Sequence, residues 1–241
     1  SVIHLAAQVS VHRSISSFGT SSSSNILGAI KVIDYCRLNL IPLIYASSAA
    51  VYGNLKLGDD LNSEIDLLSP YASDKYMLEI YAKTAFKNYQ LSSIGLRFFN
   101  VYGPRQDPTN PYSGVISIFV DRLLRSDKII INGGYQTRDF IYVNDVVEAI
   151  YKSVVLAKNT VVCEQINILT GKSVSIDELA TMLMKKIAVN VEKEYSILPA
   201  GDPEGSEGTT EKMENLLNID LNDMISIDIG LSETVKFIGG G

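Results

Sequence analysis

Apolar residues along this chain fall into two kinds of run, and the two kinds take turns. Leu43-Ile44-Tyr45-Ala46 is short and continuous, the pattern of a buried strand, and residues 93–98 return to strand. Residues 26–38 instead place Ile26, Leu27, Ile30, Ile33 and Cys36 at helical spacing, and residues 72–89 do so with Met77, Ile80, Tyr81 and Ala85. Val2-Ile3-His4-Leu5-Ala6-Ala7 opens the chain as a strand running into a loop. The serines at 21–24 read as loop, and the polar stretch 54–70 as a surface connection. Strand, helix, strand, helix, strand in succession predicts parallel pairing with right-handed crossovers.

Beyond Pro104 the pattern loosens into a loop excursion at 105–112, then a helix at 115–124 and short strands at 129–131 and 140–143. Asn144 is a good cap for a helix at 146–155, and 165–169 makes another strand. Ser175-Ile-Asp-Glu178 has the form of a capping box opening a helix to 187. A Gly- and acid-rich loop at 201–208 precedes helices at 211–217 and 231–238.

With 241 residues, 46% of them hydrophobic, the chain can bury a substantial core. Its net charge of −6, with no clustered Lys and Arg, argues against a nucleic-acid surface. Cys36 and Cys163 are isolated and only two histidines are present, which suggests neither a disulfide framework nor a metal site. No stretch approaches the ~18 to 20 apolar residues of a membrane span, and the amino end lacks the basic start of a signal peptide. The expectation is a cytoplasmic protein with reduced thiols.

Candidate chemistry centres on Tyr71 and Lys75, four residues apart and therefore on one face of the helix expected after Pro70. A free tyrosine titrates near ~10, so a tyrosine base at neutral pH needs roughly 4 kcal/mol of preference for phenolate, which nearby positive charge can supply. Upstream, Ser47 and Ser48 fall at the carboxyl end of a predicted strand, where open α/β sheets place ligands. Alone, the Tyr-x-x-x-Lys spacing also fits a helix with one buried aromatic and one solvated lysine. The serines also fit a polar strand end or a helix cap.

Four motifs in order carry a resemblance: Ser47-Ser-Ala-Ala-Val-Tyr-Gly53, Tyr71-Ala-Ser-Asp-Lys75, Arg97-Phe-Phe-Asn-Val-Tyr-Gly-Pro104 and Arg138-Asp-Phe-Ile-Tyr-Val143. Together they resemble the extended short-chain dehydrogenase/reductases, and within them the NAD-dependent nucleotide-sugar epimerases such as UDP-glucose and UDP-N-acetylglucosamine 4-epimerases. The resemblance is specific over 2–157 and architectural beyond. It implies an α/β fold, a Rossmann-like doubly wound parallel sheet with a smaller α/β carboxy-terminal substrate-binding domain. The division expected is 1–104 as the NAD-binding portion and 105–241 as mainly substrate-binding, with 139–158 returning to the sheet. In that family the His-Leu-Ala-Ala segment lies on the fourth strand, preceded by a glycine-rich turn that cradles the pyrophosphate. No Gly-x-x-Gly-x-x-Gly follows a strand here, so the resemblance implies an amino-terminally truncated chain lacking its first βα units and inactive alone.

The resemblance also assigns roles. Tyr71 is the catalytic base and acid, Lys75 binds the nicotinamide ribose and holds Tyr71 acidic, and Ser48 is the catalytic hydroxyl. His4, Ala6, Ala7, Asn25 and Ser47 fall on the cofactor side, Asn25 as a brace. A lone strand histidine such as His4 also fits simple packing. Asn100 and Arg138 correspond to substrate ligands, Arg138 on a phosphate oxygen, with a structural Arg138-Asp139 ion pair as the alternative. Tyr52 and Gly53 shape the turn beside the sugar. Gly201-Asp202 resembles the end of an Arg-x-Gly-Asp motif whose Arg is replaced by Pro199, and counting from there places Ser206 at the hexose pocket. Dehydratases carry acidic residues just after the catalytic hydroxyl, and Ala49 and Ala50 cannot transfer protons. The expected reaction is 4-epimerisation of a UDP-hexose or UDP-N-acetylhexosamine through a 4-keto sugar, by a homodimer. Other epimerases and ketosugar reductases of the family, and a non-catalytic nucleotide-binding relic, are the alternatives.

Overall fold

The computed structural model describes residues 1–110, 113–199 and 201–240. At its centre is a four-stranded parallel sheet in the order β1 (Val2–His4), β2 (Leu43–Ser48), β3 (Ser93–Phe98), β7 (Cys163–Ile168). Successive side chains of a strand point to opposite faces. Leu43 and Tyr45 accordingly pack with Ala29, Ile33 and Cys36 of α2 (Phe18–Leu38) and with Leu78, Ala82 and Ala85 of α3 (Pro70–Tyr89). Ile44, Ile94, Leu96, Ile166 and Ile168 pack instead with Val146 and Ala149 of α5 (Val143–Asn159) and with Met213 and Leu217 of α7 (Glu211–Leu217). Helices on both faces make this a doubly wound, Rossmann-like α/β fold, with β2 apolar on each side. Burial of one such Leu or Ile contributes about 1.5–3 kcal/mol, so the sheet is a firm platform for whatever its carboxyl edge presents.

A second cluster gathers Ile116, Phe119, Val120 and Leu123 of α4 (Val115–Leu124), Leu179 and Leu183 of α6 (Ile176–Ile187) and Leu231 of α8 (Ile227–Gly239). Two small sheets accompany it: β4 (Asn100–Tyr102), β6 (Thr137–Tyr142) and β8 (Ser173–Ser175) in one, β5 (Ile129–Asn132) and β9 (Lys193–Ser196) in the other. No helix among the described residues is long and apolar enough to cross a membrane.

Several expected elements shift. The serines at 21–24 are helical, because α2 starts at Phe18 and Ser21 is held by Gln8, whose Nε2 donates to its hydroxyl at 2.8 Å. A short helix, α1 (Val11–Ser16), precedes it, capped by Ser10; its sequence shows no apolar periodicity. On α3 the buried face carries Ala72, Asp74, Lys75, Leu78, Glu79 and Ala82, whereas Met77, Ile80 and Tyr81, expected inside, are exposed. Burial here follows the polar site rather than the apolar periodicity. Asn144 does not cap α5, which begins at Val143 because β6 runs straight into it. The Ser175 capping box forms as expected, with the Glu178 backbone N–H donating to Ser175 Oγ at 3.1 Å. The excursion expected at 105–112 includes Pro111 and Tyr112, which lie outside the described residues.

Candidate active site

β2 delivers Ser47 and Ser48 to the carboxyl edge of the sheet, and the chain then turns through a 3-10 segment, Ala49–Tyr52, capped by Ser48, whose Oγ accepts from the Ala50 backbone N–H at 3.1 Å. Gly53 ends this turn at φ +52°, and a side chain there would collide with the Asp66 carbonyl, so only glycine closes it. The helix bearing the candidate base starts cleanly: Ser69 caps it, its Oγ accepting from the Ala72 N–H at 3.2 Å, and Pro70 occupies the first turn. The Tyr71 N–H donates to Ser14 Oγ of α1 at 3.1 Å, which anchors that end of α3.

Tyr71 and Lys75 project from the same face, as their spacing predicts. The Lys75 ammonium lies 5.8 Å from the centre of the Tyr71 ring and donates to the Ala46 carbonyl of β2 at 2.8 Å. Burial pushes this ammonium down to about 8, with the Asp74 carboxylate opposing. The Tyr71 phenol is pushed up by burial, opposed by a hydrogen bond with the Ser48 hydroxyl. The lysine sits over the ring, and burial is the leading influence on the phenol in this arrangement.

Asn25 is bonded to both the loop after β1 and α3. Its Oδ1 accepts from the Gln8 N–H at 2.7 Å, and its Nδ2 donates to the Gln8 carbonyl at 3.1 Å and to Asp74 Oδ2 at 3.0 Å. One side chain thus joins the loop after β1, α2 and α3. His4 ends β1 beside Tyr45, its imidazole pushed down first by burial and then by the Lys75 charge. Ala6 and Ala7 follow in the loop. Ser47 is buried, and its hydroxyl donates to Glu79 Oε1 at 2.5 Å instead of facing the cleft.

A cleft of about 190 Å³ opens over this edge. Ser48, Tyr71, Asn100, Arg138 and Ser206 all line it, so five positions scattered through the sequence converge, as do Tyr52 and Gly53. Arg138 and Asp139 are neighbours in a strand and diverge. Arg138 turns to the cleft, its Nη1 donating to the Thr137 carbonyl at 2.8 Å, while the Asp139 carboxylate accepts from the Thr170 and Lys172 N–H groups at 2.9 and 3.0 Å. The alternative of an Arg138-Asp139 ion pair is not formed. Burial pushes the guanidinium down, and Asp202, also on the cleft wall, opposes that shift. Val11, Leu68 and Glu207 line the cleft too and carry no sequence signal that separates them from other surface residues.

Residues 1–168 match the model of the NAD dependent epimerase/dehydratase family. A putative UDP-glucose 4-epimerase of Methanocaldococcus jannaschii is 40% identical over 198 residues, 80% of this chain and 63% of that protein, so the match spans less than two thirds of the relative. Among solved structures, UDP-N-acetylglucosamine 4-epimerase from Methanobrevibacter ruminantium, in complex with UDP-N-acetylmuramic acid, superposes with a TM-score of 0.90 at 32% identity, covering 98% of this chain and 75% of the other. Thermus thermophilus UDP-glucose 4-epimerase, in complex with NAD, superposes with a TM-score of 0.86 at 29% identity, covering 100% and 78%.

Proposed function

Since this chain belongs to the NAD-dependent epimerase/dehydratase family, we propose that its cleft interconverts the C4 epimers of a UDP-hexose or UDP-N-acetylhexosamine through a 4-keto intermediate. The observation that carries this reading is the meeting of Ser48, Tyr71 and Arg138 in one cleft. A proton-transfer group and an anion-binding group then face the same ligand.

Tyr71 takes the proton of the C4 hydroxyl and later returns it, while Ser48, on the cleft wall with the phenol, orients that hydroxyl. Arg138 meets a phosphate oxygen with its forked donors, and Asn100 contacts the diphosphate or the adjoining sugar. Lys75 suits a cofactor hydroxyl: it is 5% exposed, spends one donor on Ala46, and has further protons to offer beside Tyr71. With Asn25 holding the loop after β1, these residues fit NAD, which when bound supplies the hydride acceptor and donor at C4. Ala49 and Ala50 line the cleft just after Ser48, and neither can serve as the second acid or base that dehydration requires. The relatives' UDP-linked ligands support a UDP-sugar as substrate.

The test is Tyr71→Phe in the protein as expressed from its gene, followed by proton NMR of the C4 epimers. Turnover is expected to fall by ~100-fold to 10,000-fold. Near-normal turnover would remove Tyr71 as the base.

A further inference from the structure

Two consecutive residues of β2 are tied to one face of α3, and the next, Ser48, lines the cleft with Tyr71. The Ala46 carbonyl accepts from Lys75 Nζ, and Ser47 Oγ donates to Glu79. Tyr71, Lys75 and Glu79 are four residues apart in turn, so each occupies the same helical face. Of the three, Tyr71 lines the cleft and Glu79 does not. Its carboxylate is gripped at both oxygens by Arg97 of β3, with Nε to Oε1 at 2.9 Å and Nη2 to Oε2 at 2.7 Å. The remaining arginine edge continues outward: Arg97 Nη1 donates to Tyr52 OH at 2.7 Å, and Tyr52 OH donates to Asn167 Oδ1 of β7 at 2.7 Å. Asn167 Nδ2 then donates to the carbonyls of Gly58 and Thr209 at 2.9 and 3.2 Å. Gly58 in turn forms an isolated bridge with the loop segment 207–209, its N–H donating to the Glu207 carbonyl at 2.8 Å and its carbonyl accepting from the Thr209 N–H at 3.0 Å. Ser206 and Glu207 are cleft wall.

We propose that Glu79, Arg97, Tyr52 and Asn167 form a positioning relay that holds the Tyr71–Ser48 pair in register with the opposite wall of the cleft at Ser206–Glu207. The relay rests on the reading of Tyr71 as the base, and none of its four members need touch the reacting atoms. Glu79, Arg97, Tyr52 and Asn167 are 4%, 5%, 4% and 0% exposed, so each polar group must be satisfied by another, and the chain of bonds has no slack that water could take up. Buried ion pairs are poor devices for stability alone, since well-packed apolar residues of the same volume hold helices and strands as well. What apolar contacts lack is direction, and here direction fixes one rotamer of Arg97 against α3, the turn after β2, and β7 together. Glycine at 208 completes the connection, because a side chain there would press on the Phe99 ring at 2.6 Å and push the wall away from Gly58.

The relay is tested at its outer links, which leave the base untouched. In the protein as expressed from its gene, Tyr52→Phe and Asn167→Leu are each expected to keep the native circular dichroism spectrum. Each should move the ring-carbon resonance of isotopically labelled Tyr71 and speed amide exchange at Thr209 by about tenfold or more. Turnover of the UDP-sugar should fall about tenfold with KM within about twofold, the pattern of a displaced catalytic group and not of a lost binding contact. If one variant fails to fold, the other decides. An unmoved Tyr71 resonance in a folded variant overturns the relay. A moved resonance together with full turnover of Tyr71→Phe would instead uphold the relay and overturn the base assignment.

Discussion

Around Lys75 the fold withdraws water from an ammonium that still holds its proton below about pH 8. Its folded value lies below the unfolded value near 10.5, so the unfolded chain binds the proton more tightly and folding is penalised in full below pH 8. The penalty fades as pH rises from 8 toward 10.5. Relative to Lys75→Met, which has no such proton, the native protein is therefore expected to gain about 2–3 kcal/mol of stability between pH 7 and pH 10, measured by urea unfolding at both values. No gain would mean that Lys75 is solvated. The same withdrawal of water pushes the Tyr71 phenol up: the sequence shows which groups are neighbours, while burial weighs on the charge state each prefers.

α3 shows how an element can satisfy two demands. Its inner face buries Lys75 and Glu79 among Leu78, Ala82 and Ala85, and that leaves Met77, Ile80 and Tyr81 at 37%, 42% and 40% exposure. Apolar periodicity alone puts these three inside. Leu27 of the neighbouring α2, expected inward, is likewise 58% exposed. Exposed apolar residues on two packed helices are what an isologous contact between copies uses, and a homodimer through α2 and α3 is the proposal that follows. Ile80→Glu is expected to convert the dimer to a monomer in sedimentation velocity while leaving the fold intact. A native protein that sediments as a monomer at the same concentration would dismiss the interface. Elements whose signals are local came through unchanged: α4, α7 and the Ser175-capped α6 occupy the spans their sequences predict.

For the molecule as a whole, the cleft joins two bodies of sequence. The sheet edge brings Ser48, Tyr71 and Asn100, and the region past residue 105 brings Arg138, Asp202 and Ser206. Ser206 reaches this wall because its carbonyl accepts from Ser173 Oγ of β8 at 3.1 Å and because the Gly58–Gly208 bridge pins the loop. If the hexose sits against this wall as proposed, a small side chain there leaves space beside it. Ser206→Tyr is expected to suppress interconversion of the UDP-N-acetylhexosamine pair while sparing the unacetylated pair, read by proton NMR under matched conditions. Equal slowing of both pairs, or of neither, would take Ser206 out of the hexose pocket.

Local regularities settled much of this protein without reference to its fold. Four-residue spacing put Tyr71 and Lys75 on one helical face, a continuous apolar run marked β2, and Ser175 with Glu178 announced a helix start, because each depends only on backbone geometry within a few residues. The bonds that join Glu79 to Arg97, Tyr52 and Asn167, the divergence of Arg138 from Asp139, and the helical fate of the serines at 21–24 were set by tertiary structure alone. Their partners lie far along the chain, and what decides each is the loss of water where distant segments close on one another, a quantity no local pattern carries.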